Sequence, residues 1–81
     1  QMAIDDSGAS RHEQARALVD SLSRRQRQIL EALAKGRLNK QIAYELDLTE
    51  RTIKMHRAAM LRGLGVRTVA EAIRIAIEAG L

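Results

Sequence analysis

The chain has 81 residues, no cysteine, no proline, a single aromatic side chain (Tyr44) and a formal net charge of +4. These features exclude a disulfide framework, thiol chemistry and a thiolate metal site, and they leave one small domain with an aliphatic core. No apolar run approaches the roughly 20 residues a membrane-spanning helix needs.

Charge is unevenly placed. Residues 1–20 carry Arg11 and Arg16 against Asp5, Asp6, Glu13 and Asp20, whereas residues 21–81 carry twelve Lys and Arg against six acids. A basic body behind an acidic lead-in points to an anionic partner, with nucleic acid ahead of a membrane surface. The competing reading is a solvated surface that happens to be basic.

Gln1 to Ala9 has no periodicity and holds Gly8 among small polar residues, so it reads as a linker or a frayed end. Asp5, Asp6 and Ser7 interrupt any secretory pattern there. A chain that opens on Gln reads as a piece of something longer or as a tag remnant. Ser10 to Glu13 has capping-box spacing, and Ala15, Leu18, Val19 and Leu22 form a weak apolar stripe, which predicts a short helix over Arg11–Asp20. Residues 1–21 are thus a lead-in, and 22–81 the domain proper.

Ser23-Arg24-Arg25-Gln26 is a second capping box. Ile29, Leu30 and Leu33 follow at helical spacing, and Gly36 supplies a left-handed stop, so a helix is expected over Arg24–Lys35. Arg25 and Arg27 lie within reach of a phosphate, although most arginines on a surface helix only solubilise it.

Asn39 to Leu64 predicts a short helix, a tight turn and a longer cationic helix. Ile42 and Leu46 share one face of the first, Asp47 and Leu48 make the turn, and Thr49 caps the second. At about 100° per residue Ile53, Met60 and Leu64 fall in one arc and must face a core. Arg51, Lys54, Met55, Ala58 and Arg62 fall opposite. A helix that buries one stripe and aims cations and small groups the other way suits the DNA major groove. Tyr44 points away from the Ile42/Leu46 stripe, as a phosphate donor or a plain surface residue.

Gly63 and Gly65 end that helix. Thr68 to Glu71 is a third capping box, and the last helix is expected from Val69 to Ala79, with Gly80 as its stop. Val69, Ile73 and Ile77 share one face and are assigned to the core. Ala72, Ile75 and Ala79 lie roughly across the helix and are assigned to a weak homodimer interface about a two-fold axis. The expected fold is all-α, a four-helix domain around a central helix-turn-helix.

Residues 22–81 resemble the LuxR/NarL/FixJ-type DNA-binding domain of bacterial transcriptional regulators. The resemblance rests on an ordered series: Leu22-Ser23, then Gly36 followed by Asn39-Lys40-Gln41-Ile42-Ala43, Leu46-x-Leu48-Thr49, Thr52-Ile53-Lys54-x-His56, Leu64-Gly65-Val66 and Glu71-Ala72. It implies that Lys54, Met55 and Ala58 face base edges and that Asn39, Lys40, Thr49 and Thr52 lie near phosphates; Arg51 and Arg62 join the phosphate set by their place on the cationic face. It also implies a cytoplasmic output domain, with a two-component response regulator among the candidates. Duplex DNA, a second copy of the chain and RNA polymerase are the expected partners.

Gln26, Leu38, Ala58, Gly63 and Val69 depart from the usual pattern. Ala58, Gly63 and Val69 favour the alternative, an interaction module that keeps the fold without DNA binding. Neither a catalytic nor a metal site is expected, nor a cofactor: His56 reads as a packed, hydrogen-bonded residue, His12 has no evident partner, and Asp47 and Glu50 flank a helix cap.

Overall fold

A computed structural model describes the backbone of residues 2–81 and the side chains from Ser10 onward; position 1 of the expected linker lies outside the described residues. The described chain forms five helices: α1 (Met2–Asp20), α2 (Arg24–Ala34), α3 (Asn39–Leu46), α4 (Glu50–Leu64) and α5 (Val69–Glu78). Helices α2 to α5 are the four expected. α1 starts at Met2 rather than Arg11, so most of the stretch read as linker is helical. Once a helix exists, each added residue fixes one conformation for one further hydrogen bond. Gly8 inside it costs only about 1 kcal/mol against alanine, so weak periodicity did not end the helix.

Local chemistry sets the boundaries. The Ser23 hydroxyl accepts from the Gln26 N–H at 3.1 Å while Gln26 Oε1 accepts from the Ser23 N–H at 3.0 Å. That satisfies two orphan donors of α2 with neutral groups. α2 ends at Ala34, one residue early, and Gly36 takes the left-handed conformation at φ +84°. Between α3 and α4 that conformation falls to Asp47 (φ 57°), a residue type that tolerates it, and the Leu48 N–H reaches the Ala43 carbonyl at 2.8 Å. Leu48 then packs against the core. At the start of α5, the Thr68 hydroxyl first and the Arg67 N–H next hold the Glu71 carboxyl below the usual carboxylate range. A carboxyl lowered by folding stabilises the fold above its unfolded value and loses that contribution as pH falls through the folded one, so this cap weakens only in acid.

The core sits where α2, α4 and α5 meet, with α3 closing against α4 and α1 lying on α5. Ile29 and Leu30 of α2, Ile42 of α3 and Ile53 and Met60 of α4 have no exposed surface. These are the stripes that periodicity marks.

α5 is turned relative to expectation. Ala72, Ala76 and Ala79 are completely buried, whereas Ile77, assigned to the core, is 67% exposed and Ile73 is half-buried. The dimer strip of Ala72, Ile75 and Ala79 is therefore corrected: its two alanines lie inside the chain's own core and Ile75 packs against that core. Alanines let α5 approach α1 and α2 closely, and Ala15 and Val19 of α1 are buried in that same core.

α1 also caps α5. The His12 ring Nδ1 lies 2.8 Å from the Glu78 carbonyl oxygen, and an Arg16 guanidinium nitrogen donates to the Ala79 carbonyl at 3.4 Å. A carbonyl only accepts, so Nδ1 carries the hydrogen. Both bonds satisfy carbonyls that a helix C-terminus leaves without partners. His12→Ala is expected to cost about 0.5–1.5 kcal/mol and to lower the melting temperature by several degrees, about 4–8 °C per kcal/mol in a domain of this size. Thermal unfolding followed by circular dichroism checks this; an unchanged midpoint would show that the bond adds nothing.

Candidate nucleic-acid interface

α4 is held by its buried stripe of Ile53, Met60 and Leu64, and that anchoring decides what the other side presents. Arg51, Lys54, Met55, Ala58 and Arg62 are all exposed. Met55 keeps 62% of its surface, an apolar group amid cations. Lys40 is exposed on α3, and Asn39 and Thr52 are half-buried at the starts of α3 and α4. The structure thus brings the nine residues assigned to DNA onto α4 and the two helix N-termini beside it.

Those N-termini differ. The Thr49 hydroxyl accepts from the Thr52 N–H at 3.1 Å and donates to the Thr52 hydroxyl at 2.9 Å. Thr49 is committed to the cap, and Thr52 keeps its own hydroxyl hydrogen for an outside acceptor. At α3 the capping position is Leu38, which has no oxygen to offer; only the reciprocal bond forms, from the Leu38 N–H to Gln41 Oε1 at 2.8 Å. The backbone N–H groups of Asn39, Lys40 and Gln41 therefore stay open at the positive end of the helix, an arrangement suited to an anion.

Some of the cations are engaged within the chain. Arg27 lies 3.5 Å from Asp20 and 3.6 Å from Glu31, Arg25 donates to Gln28 at 3.2 Å, and Arg37 pairs with Glu45. Arg27, within reach of a phosphate by sequence, is occupied inside the chain. Among the described residues no ion pair engages Lys40, Arg51, Lys54 or Arg62. Arg24, Lys35, Arg67 and Arg74 are likewise outside these ion pairs, so position on the exposed side of α4 and at the start of α3, not pairing, gathers the four.

Four further positions follow from packing. Gly63 lies against Leu22, whose Cδ2 would sit 3.0 Å from a Cβ there, so a side chain at 63 needs Leu22 to move. Tyr44 is 89% exposed, and His56 is half-buried at the edge of the stripe. Arg57, which periodicity places beside that stripe, reaches back to α3 and donates to Asn39 Oδ1 at 3.2 Å. Sequence reasoning missed Arg57, although a cation at the margin of a buried arc is a signal that it has a partner on the neighbouring helix.

Comparison with known proteins agrees with this geometry. A family model described as "Bacterial regulatory proteins, luxR family" matches residues 20–76. The chain is 38% identical over 65 residues to the transcriptional regulatory protein FixJ of Rhizobium meliloti, covering 80% of this chain and 32% of that protein. It is 48% identical over 56 residues to the glycerol metabolism activator of Pseudomonas putida, covering 69% of this chain and 25% of the relative. The crystal structure of full-length FixJ from B. japonicum superposes with a TM-score of 0.78 at 37% identity, covering 98% of this chain and 41% of that one. The chain spans about a third or less of the length of these curated relatives. With an exposed cationic helix on a helix-turn-helix scaffold and these relatives, the chain belongs to the luxR family of bacterial regulatory proteins, whose helix-turn-helix domain binds DNA to regulate transcription.

Proposed function

We propose that the domain binds duplex DNA sequence-specifically as the output end of a bacterial response regulator, acting in the cytoplasm. α4 enters the major groove, with Lys54, Met55 and Ala58 against base edges. The open N-terminus of α3 meets the phosphate backbone through Asn39 and Lys40, and Arg51, Thr52 and Arg62 add contacts to it from α4, with Thr49 fixing the cap beside them. The exposed face of α4 opposite Ile53, Met60 and Leu64, with its unpaired cations, is the observation that carries the reading. Pairing on a palindromic site falls to the outer face of α5, where Ile77 is exposed beside Ile73. Two copies there put recognition helices about one turn of DNA apart.

Lys40 tests the phosphate assignment. Each neutralised phosphate contributes about −0.9 to the slope of log affinity against log salt. Lys40→Ala is expected to weaken specific and non-specific duplexes alike and to flatten that slope by about one unit. Titrations of labelled duplex at several salt concentrations measure it, and an unchanged slope removes Lys40 from the interface.

A further inference from the structure

The geometry points to Arg57 as a positioning residue for DNA binding, one that acts through Asn39 and makes no DNA contact of its own. The inference rests on the DNA-binding reading above and adds a part to it. Arg57 is half-buried on α4, and its guanidinium donates to Asn39 Oδ1 at 3.2 Å across eighteen residues of sequence. A guanidinium has only hydrogens to offer, so the amide atom facing it must be the oxygen. The amide is planar, and fixing Oδ1 toward Arg57 turns Nδ2 away from α4. Among the described residues no hydrogen bond engages that Nδ2.

Asn39 is the first residue of α3, the helix whose capping position, Leu38, leaves the adjacent backbone N–H groups open. An outward Nδ2 there adds a third kind of donor to Lys40 and the open N–H groups, at a corner suited to an anion. The dent at this corner is lined by Leu33, Arg37, Leu38, Asn39, Lys40 and Glu50 as well as Arg57. Glu50 is the acid among them, and no ion pair draws Arg57 to it. The bond has a second consequence. It ties the phosphate-facing end of α3 to the middle of the helix that carries Lys54, Met55 and Ala58. The spacing between backbone contacts and base contacts is thereby fixed by a hydrogen bond as well as by packing.

A double-mutant cycle read in DNA affinity tests this. Arg57→Met alone is expected to weaken binding by roughly three- to tenfold, the worth of one hydrogen bond. In an Asn39→Ala background the same change is expected to have no further effect, because the residue through which Arg57 acts is gone. Additive losses would overturn the proposal and make Arg57 an independent contact. Arg57→Met binding as tightly as the unaltered chain would overturn it too. Asn39→Asp provides a variant that keeps the fold: aspartate still accepts from Arg57, so the melting temperature is held or raised, but it turns an anionic oxygen toward the phosphate. Binding weaker than that of Asn39→Ala is expected, and equal or tighter binding contradicts an outward Nδ2. If the unaltered chain itself shows no salt-dependent binding to duplex DNA, it is the DNA reading that fails.

Discussion

Ala76→Asp is expected to unfold the domain. Ala76 is completely buried on the inner face of α5, where α1 and α2 pack, and the described core holds no buried polar or charged side chain. A carboxylate there has no partner, and taking an unpaired charge out of water costs several kcal/mol even after relaxation. A domain of this size has a total stability of only about 5–10 kcal/mol. Ile77→Asp, one position along, is the control: Ile77 is 67% exposed, and a substitution there is expected to stay within about 0.5 kcal/mol. Urea unfolding of both variants separates the two faces of α5. If Ile77→Asp unfolds the chain and Ala76→Asp does not, α5 faces the other way, with Ile77 in the core and Ala76 outside.

The second large effect concerns readout. Lys54 is exposed on α4 one residue from the fully buried Ile53, so it can be truncated without touching the core. Lys54→Ala is expected to cost about 1–3 kcal/mol, roughly five- to 150-fold, on the preferred duplex, and to relax preference at one or two base pairs. Affinities for a panel of single-base variants of that duplex measure it. An equal loss on every sequence would move Lys54 to the phosphate set and leave Met55 and Ala58 as the base-facing residues.

Much of this was legible in the sequence, for definite reasons. Caps are local chemistry, so Ser23/Gln26, Thr49 and Thr68/Glu71 marked three helix starts correctly. α4 has one apolar arc and one cationic arc, and such a helix can be turned only one way. α5 has apolar residues on both sides. Periodicity alone does not orient such a helix; closeness of approach decided the matter and alanines took the core. The His12 and Arg16 bonds to the end of α5 join positions more than sixty residues apart, which no local pattern records. Arg57 was overlooked because its partner, Asn39, lies on another helix. The α4 face was therefore readable residue by residue, while the bond that orients its neighbour was not.

The proposed binding of duplex DNA rests on the exposed cations of α3 and α4. The most direct measurement is fluorescence anisotropy of a labelled generic duplex titrated with the domain between 50 and 200 mM salt. Lys40, Arg51 and Arg62, the cations assigned to phosphate, predict a log–log slope of about −2.5 to −3, from about −0.9 for each phosphate met. Absence of binding at the lowest salt, or a slope near zero, would contradict the account and identify the domain as an interaction module that kept the fold without its DNA.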